Sequence, residues 1–139
     1  MRGRHVILYD GVCGLCNRLN RFVLARDPRG VFGFATLQSR FAREFLMRHQ
    51  RDPSDLDTLY LIAHYGTEWQ AIHAKSRAVL FILKELGGPW GMAALLGVLP
   101  AFLLNAVYGL VARLRYRIFG RYDSCPLPPP EWRDRFIDI

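Results

Sequence analysis

Cysteine is scarce in this 139-residue chain: Cys13, Cys16 and Cys125 are too few, and odd in number, for a disulfide-stapled miniprotein. No second Cys-x-x-Cys and no His-x-x-x-His pair is present to complete a four-ligand metal site. The net charge of +7 comes almost wholly from arginine, yet the arginines do not run together with interleaved aromatics, and no helix-turn-helix or zinc-finger spacing occurs. The charge therefore reads as a solvated basic surface, with no nucleic-acid partner. Internal repeats are absent, and Pro128-Pro129-Pro130 is the one low-complexity stretch. No secretory leader is read before the first apolar run, which with the odd cysteine count places the chain in a reducing compartment, the cytoplasm. With 51% of its residues hydrophobic, the chain is most economically one domain with a real core.

Against this background the segment Asp10-Gly11-Val12-Cys13-Gly14-Leu15-Cys16 stands out. It follows the apolar run Val6 to Tyr9 and precedes a helical pattern carried by Leu15, Leu19, Phe22 and Val23. If Cys13 opens that helix, free backbone N–H groups and the positive end of the dipole point at its sulfur, which lowers the thiol pKa. Cys16, one turn later, is close enough to attack a mixed disulfide on Cys13. Cys13 is thus expected to attack and Cys16 to resolve. Two other readings remain open: a pair of small buried hydrophobes, or part of a zinc site with Cys125 and one histidine. The strand-to-helix context favours redox chemistry. Asp10 has two credible tasks, accepting the proton of Cys16 if burial raises its pKa, or capping the turn. Gly11 and Gly14 allow a partner backbone to approach closely. Arg18 and Arg21 read as the wet face of the helix, and His5, His49, His64 and His73 share no spacing that points to catalysis or metal.

Along the chain, Asp27-Pro28-Arg29-Gly30 is a turn signal and Val31 to Ala35 a buried strand, making a β-α-β unit with parallel strands. Ser39 is placed to cap a helix with Phe41, Ala42, Phe45 and Leu46 on its apolar face, ending near His49. Thr58 to Ala63 and Glu68 to His73 read as a hairpin, and Ser76 as the cap of a helix over 77–86 that Gly87-Gly88-Pro89 ends. The order β-α-β-α-β-β-α is that of the thioredoxin core, an α/β three-layer fold with its chemistry at the start of the first helix.

Residues 1–88 are expected to form this core. In 89–121, no charge falls between Pro89 and Ala112, and Arg113, Arg115 and Arg117 follow at once. Its length makes it a membrane-span candidate, but Leu99-Pro100 divides it into two shorter helices, each able to bury one face on the sheet. A packed extension is favoured over a span, with peripheral contact at an anionic surface as the lesser alternative. Gly120 should stop the last helix. Residues 122–139 are expected to be an extended, proline-rich tail carrying Cys125. Trp69, Trp90 and Trp132 read as core or tail packing.

The chain resembles the DCC thiol–disulfide oxidoreductase-like proteins, which carry an Asp-x-x-Cys-x-x-Cys motif near the N-terminus. The resemblance is carried by Tyr9 to Arg18, Arg26-Asp27, Phe34 to Ser39, Ser76-Arg77-Ala78, Val107-Tyr108, Arg115-Tyr116-Arg117, Phe119-Gly120-Arg121 and Cys125. It implies a thiol–disulfide oxidoreductase, of the protein-disulfide reductase type, exchanging electrons with a protein or small-molecule disulfide or thiol and needing no bound cofactor. It also tips Asp10 toward a functional role. Leu114 stands where the family pattern has asparagine, which weakens a polar role for that part of the last helix. Thioredoxins proper place a proline before the third strand, facing the cysteines. Asp57-Thr58 stands there in this chain, which argues against general protein-disulfide reduction. The alternative class is a non-catalytic interaction module at a membrane surface. Nothing in the sequence fixes an oligomeric state.

Overall fold

A computed structural model describes residues 3–121 and 130–137. Four strands, β1 (His5–Tyr9), β2 (Phe32–Thr36), β3 (Tyr60–Ala63) and β4 (Ala71–Ala74), form one sheet in the order β2-β1-β3-β4. The β1–β2 pair is parallel, with Ile7 opposite Phe34, whereas β1–β3 and β3–β4 are antiparallel. Because side chains alternate along a strand, β1 serves two cores at once. Ile7 and Tyr9 join Phe32, Phe34, Leu61 and the helix α1 (Gly14–Ala25) on one face, with Ala78 and Ile82 of α3 (Ser76–Leu86). Val6 and Leu8 join Ala35, Ile62 and the helix α2 (Arg40–Arg48) on the other. The result is the three-layer α/β arrangement of a thioredoxin-like core.

The local signals explain most boundaries. Ser39 caps α2, its Oγ accepting the Ala42 N–H at 3.1 Å. Asp27 holds the turn into β2 by accepting the N–H groups of Val31 and Phe32 at 3.2 and 3.0 Å. Ser76 differs from expectation. It is the first residue of α3, and the cap position falls to Lys75, whose φ of 57° turns the chain out of β4. The Ser76 hydroxyl instead donates to Asn105 Oδ1 at 2.6 Å. The hairpin also starts later than expected, because Leu59 gives its N–H to the Tyr108 hydroxyl at 2.8 Å rather than to a strand.

The region after α3 departs most. Gly87, at φ 69°, ends α3 as expected, but a short helix α4 (Gly88–Ala93) and a 3-10 turn (Ala94–Val98) come before Pro100. The helix α5 (Ala101–Phe119) then runs through the arginines to Gly120. The expectation that two helices would each bury a face on the sheet does not hold. The helix α5 lies along α1 and α3, and Val98, Phe102 and Leu110 are 85%, 78% and 58% exposed. Among the described residues no helix is long and apolar enough to cross a membrane.

The tail is not wholly extended either. Pro130–Arg135 is a 3-10 helix, Trp132 and Phe136 pack on the core, and the Ile137 N–H reaches the Phe34 carbonyl at 2.8 Å. Arg135 is ion-paired with Asp27. Trp69 is largely exposed rather than packed. Cys125 lies outside the described residues.

Candidate active site

The site is assembled where β1 ends and α1 begins. Cys13 is the N-cap of α1, with extended backbone angles and a sulfur that accepts the Cys16 N–H at 3.5 Å. A sulfur at this position sits against the unsatisfied N–H groups of the first turn. Its pKa is lowered to about 6 by the hydrogen bond from the Cys16 thiol, with the backbone N–H groups of Cys16 and Leu15 and the charge of Arg115 adding to the effect against burial. Cys16 shifts the other way. Its hydrogen bond to Cys13, its burial and the negative charge on Cys13 all keep its proton on. Both are free thiols. One acidic sulfur and one proton-bearing sulfur thus share a hydrogen bond.

Their exposures differ in the opposite sense. Cys13 is fully buried, whereas Cys16 is partly accessible. What lies against the start of α1 is the end of α5: the Gly14 N–H donates to the Gly120 carbonyl at 3.1 Å, and Cys13 makes an antiparallel bridge to Arg121. The absence of a side chain on Gly14 permits this contact, since a Cβ there would lie 2.2 Å from the Phe119 carbonyl oxygen. The close approach foreseen for a partner at Gly14 is made by this chain itself.

Asp10, 1% exposed, uses both carboxylate oxygens. Oδ1 accepts the Val12 N–H at 3.2 Å and the Gln38 Nε2 at 2.7 Å. Oδ2 accepts from Arg115 Nη2 at 3.2 Å and from the Tyr116 hydroxyl. Burial and that bond to Asp10 hold the Tyr116 hydroxyl protonated above the ordinary phenol range. Arg115 is itself buried and also binds Asp57 Oδ1 at 2.9 Å and the Leu56 carbonyl at 3.1 Å. Gln38 completes the frame by accepting the Gly11 N–H at 3.0 Å, and Asn17 Nδ2 donates to the carbonyls of Gly11 and Cys13 at 3.0 and 2.8 Å.

Asp10, Cys13 and Cys16 are therefore brought together, and Arg115, Tyr116, Gln38, Asn17 and Asp57 join them. The sequence reading gave these five no role. Leu114 weakens the case for polar function there, yet the next residue carries the buried guanidinium. The available signals are the Arg115-Tyr116-Arg117 segment of the family resemblance and the alternation of Arg113, Arg115 and Arg117 at the end of an otherwise apolar helix. Asp57, standing where thioredoxins have proline, is tied to this arginine.

A family model for DCC1-like thiol-disulfide oxidoreductases matches residues 7–121. The chain belongs to that family. Two relatives agree. The uncharacterized protein YuxK of Bacillus subtilis (strain 168) is 33% identical over 132 residues, covering 95% of this chain and 93% of the relative. A DCC family protein of Arabidopsis thaliana, At1g52590, described as chloroplastic, is 38% identical over 125 residues, covering 89% of this chain and 70% of its own. No solved structure matches. All the site residues named above fall within the span the family model matches.

Cys16 also lines an open cavity of about 370 Å³ between α1, α3, α5 and the segment 56–59, together with Asp10, Arg115 and a mainly aliphatic wall. Among the described residues, no group of three or more His, Cys, Asp or Glu is arranged to hold a metal ion.

Proposed function

We propose that this protein is a thiol–disulfide oxidoreductase whose working couple is Cys13–Cys16. The observation that carries the reading is the unequal pair at the start of α1, with Cys13 lowered to about 6 and Cys16 kept protonated by the hydrogen bond between them. At neutral pH such a pair already has its thiolate, and closing it to a disulfide releases two electrons to a partner disulfide. Asp10, itself held by Arg115 and Tyr116, fixes the loop that carries Cys13 through the Val12 N–H, and the electrons reside in the dithiol without a bound cofactor. The proposed setting is a reducing compartment such as the cytoplasm, where a Cys-x-x-Cys pair is catalytic rather than a structural disulfide.

A second reading is supported by one observation, the exposed apolar side chains of Phe102 and Leu110 on α5, a helix that also carries Arg113 and Arg117, with exposed Val98 just before it. On that reading the chain is a binding module at an anionic membrane surface and the cysteines are incidental. The separating experiment equilibrates the protein across dithiol/disulfide buffers and follows intact mass with peptide mapping. A reversible Cys13–Cys16 bridge with a defined midpoint is expected. If no bridge forms in any buffer, and a Cys13→Ser, Cys16→Ser protein still floats with anionic vesicles, the binding module is the correct reading.

A further inference from the structure

We propose that the cavity beside the dithiol is a substrate pocket for a small thiol with an apolar body, and that Cys16, not Cys13, is the sulfur that bonds to it. The proposal rests on the oxidoreductase reading and deepens it by naming the substrate class and the sulfur that meets it.

Access decides the point. Cys13 is 0% exposed, and the backbone beside it is already paired with Gly120 and Arg121. An extended partner backbone has no free edge to add to there. Cys16 instead forms part of a cavity of about 370 Å³, toward the small end of the range of about 300–1,000 Å³ for small-molecule pockets. Its wall is built from side chains such as Leu19, Val79, Leu83 and Val107. The charged groups at its edge, Asp10, Asp57 and Arg115, are bonded to one another. The hydroxyls of Thr58, Ser76 and Tyr108, which also line it, are bonded within the protein, so what remains for a ligand is aliphatic surface, the Tyr108 ring and a sulfur. Val107 and Val111 line the cavity and are 55% and 43% exposed, so it opens along α5 instead of being sealed. A space of this size takes up a whole alkyl or aryl thiol.

The chemistry follows from the same arrangement. In the oxidised protein, a substrate thiolate R–S⁻ entering the cavity attacks Cys16 Sγ. The Cys13–Cys16 bond breaks, an R–S–S–Cys16 bond forms, and Cys13 leaves as thiolate. The low pKa of Cys13 makes it a good leaving group. A second R–S⁻ attacks the substrate sulfur, releasing R–S–S–R and the Cys16 thiolate, which takes a proton from water. Two electrons pass from two substrate thiols to the protein disulfide. A second, more oxidising disulfide R′–S–S–R′ regenerates the bridge: Cys16 Sγ attacks it and loses its proton to the departing sulfur, so that Cys16–S–S–R′ forms and R′–SH leaves, and the Cys13 thiolate then attacks Cys16 Sγ, closing the bridge and releasing R′–S⁻.

The test uses full-length protein carrying Cys125→Ser, so that only two sulfurs react, oxidised and then mixed with excess thiol. Butanethiol and benzyl mercaptan are compared with 2-mercaptoethanol and glutathione at equal thiolate concentration. The apolar thiols are expected to reduce the bridge at least about 10-fold faster, from the apolar area they bury. Acid-quenched samples should carry the adduct on Cys16 by fragment-ion assignment. Val107→Trp, a partly exposed position that the fold can accommodate, should bring the apolar-to-polar rate ratio down toward one. Equal rates for all four thiols, or an adduct on Cys13, would overturn the pocket and leave the oxidoreductase reading standing. Failure of the Cys13–Cys16 bridge to form would remove both.

Discussion

Arg115 illustrates how a site residue escapes a reading of sequence. The Cys-x-x-Cys pair is legible because its chemistry depends on a spacing of one helical turn and on the strand before it. Asp10 is legible through the same local motif, but the group that neutralises it lies 105 residues away, and no periodicity connects the two. Burying a carboxylate against a guanidinium gives little net stability, whereas removing one partner leaves an unpaired buried charge. Arg115→Ala is therefore expected to cost about 3–5 kcal/mol in denaturant unfolding. The Asp10→Asn, Arg115→Ala double variant should recover part of that loss, because no charge is then stranded. A loss in the double variant as large as the sum of the singles would show that the two residues act independently.

Helices and strands were legible to the extent that their own residues determine them. The boundaries of α1, α2 and β2 follow from apolar periodicity and from caps at Cys13 and Ser39. The start of α3 does not, because Ser76 satisfies both a local rule and a tertiary one, and the tertiary bond to Asn105 prevails. The fate of α5 was likewise undetermined, since an apolar stretch gives no indication of which neighbour it meets. Its junction with α1 hinges on Gly14. Gly14→Ala puts a Cβ 2.2 Å from the Phe119 carbonyl oxygen, a backbone atom that moves only if the end of α5 moves. The variant is expected to lose about 1–3 kcal/mol of stability. With the end of α5 displaced, Cys13 should also react faster with an aromatic disulfide reagent. A protein of unchanged stability and unchanged Cys13 reactivity would mean that α5 does not seat on α1.

The molecule as a whole stores part of its stability in the charge state of Cys13. In the folded chain this thiol ionises near pH 6, while in the unfolded chain it holds its proton to about pH 8.5. Between those values the unfolded state binds more protons, so the stability of the reduced protein rises with pH across the window. The contribution is fully present above the unfolded pKa and is lost as pH falls through about 6. Cys16, with its pKa raised, opposes the trend only above the ordinary thiol range. Urea unfolding of reduced protein at pH 5 and at pH 8.5, each corrected by a Cys13→Ser control, should show a gain of up to about 3 kcal/mol at the higher pH. The control cancels His5 and His73, whose pKa values are lowered chiefly by burial. A difference of zero or of opposite sign would place the Cys13 charge elsewhere.

The decisive observation is the acidity of Cys13 itself. The ultraviolet absorbance of thiolate in reduced Cys125→Ser protein from pH 4 to 10 gives the ionised fraction of the pair without a reagent having to reach the buried Cys13. The first ionisation, assigned to Cys13 by its loss in Cys13→Ser, should have a midpoint near 6, and substituting Cys16 by alanine should move that midpoint upward by removing its strongest stabilising hydrogen bond. A Cys13 midpoint at about 8.5, the value for a thiol in free solution, would contradict the charge division on which the redox assignment rests.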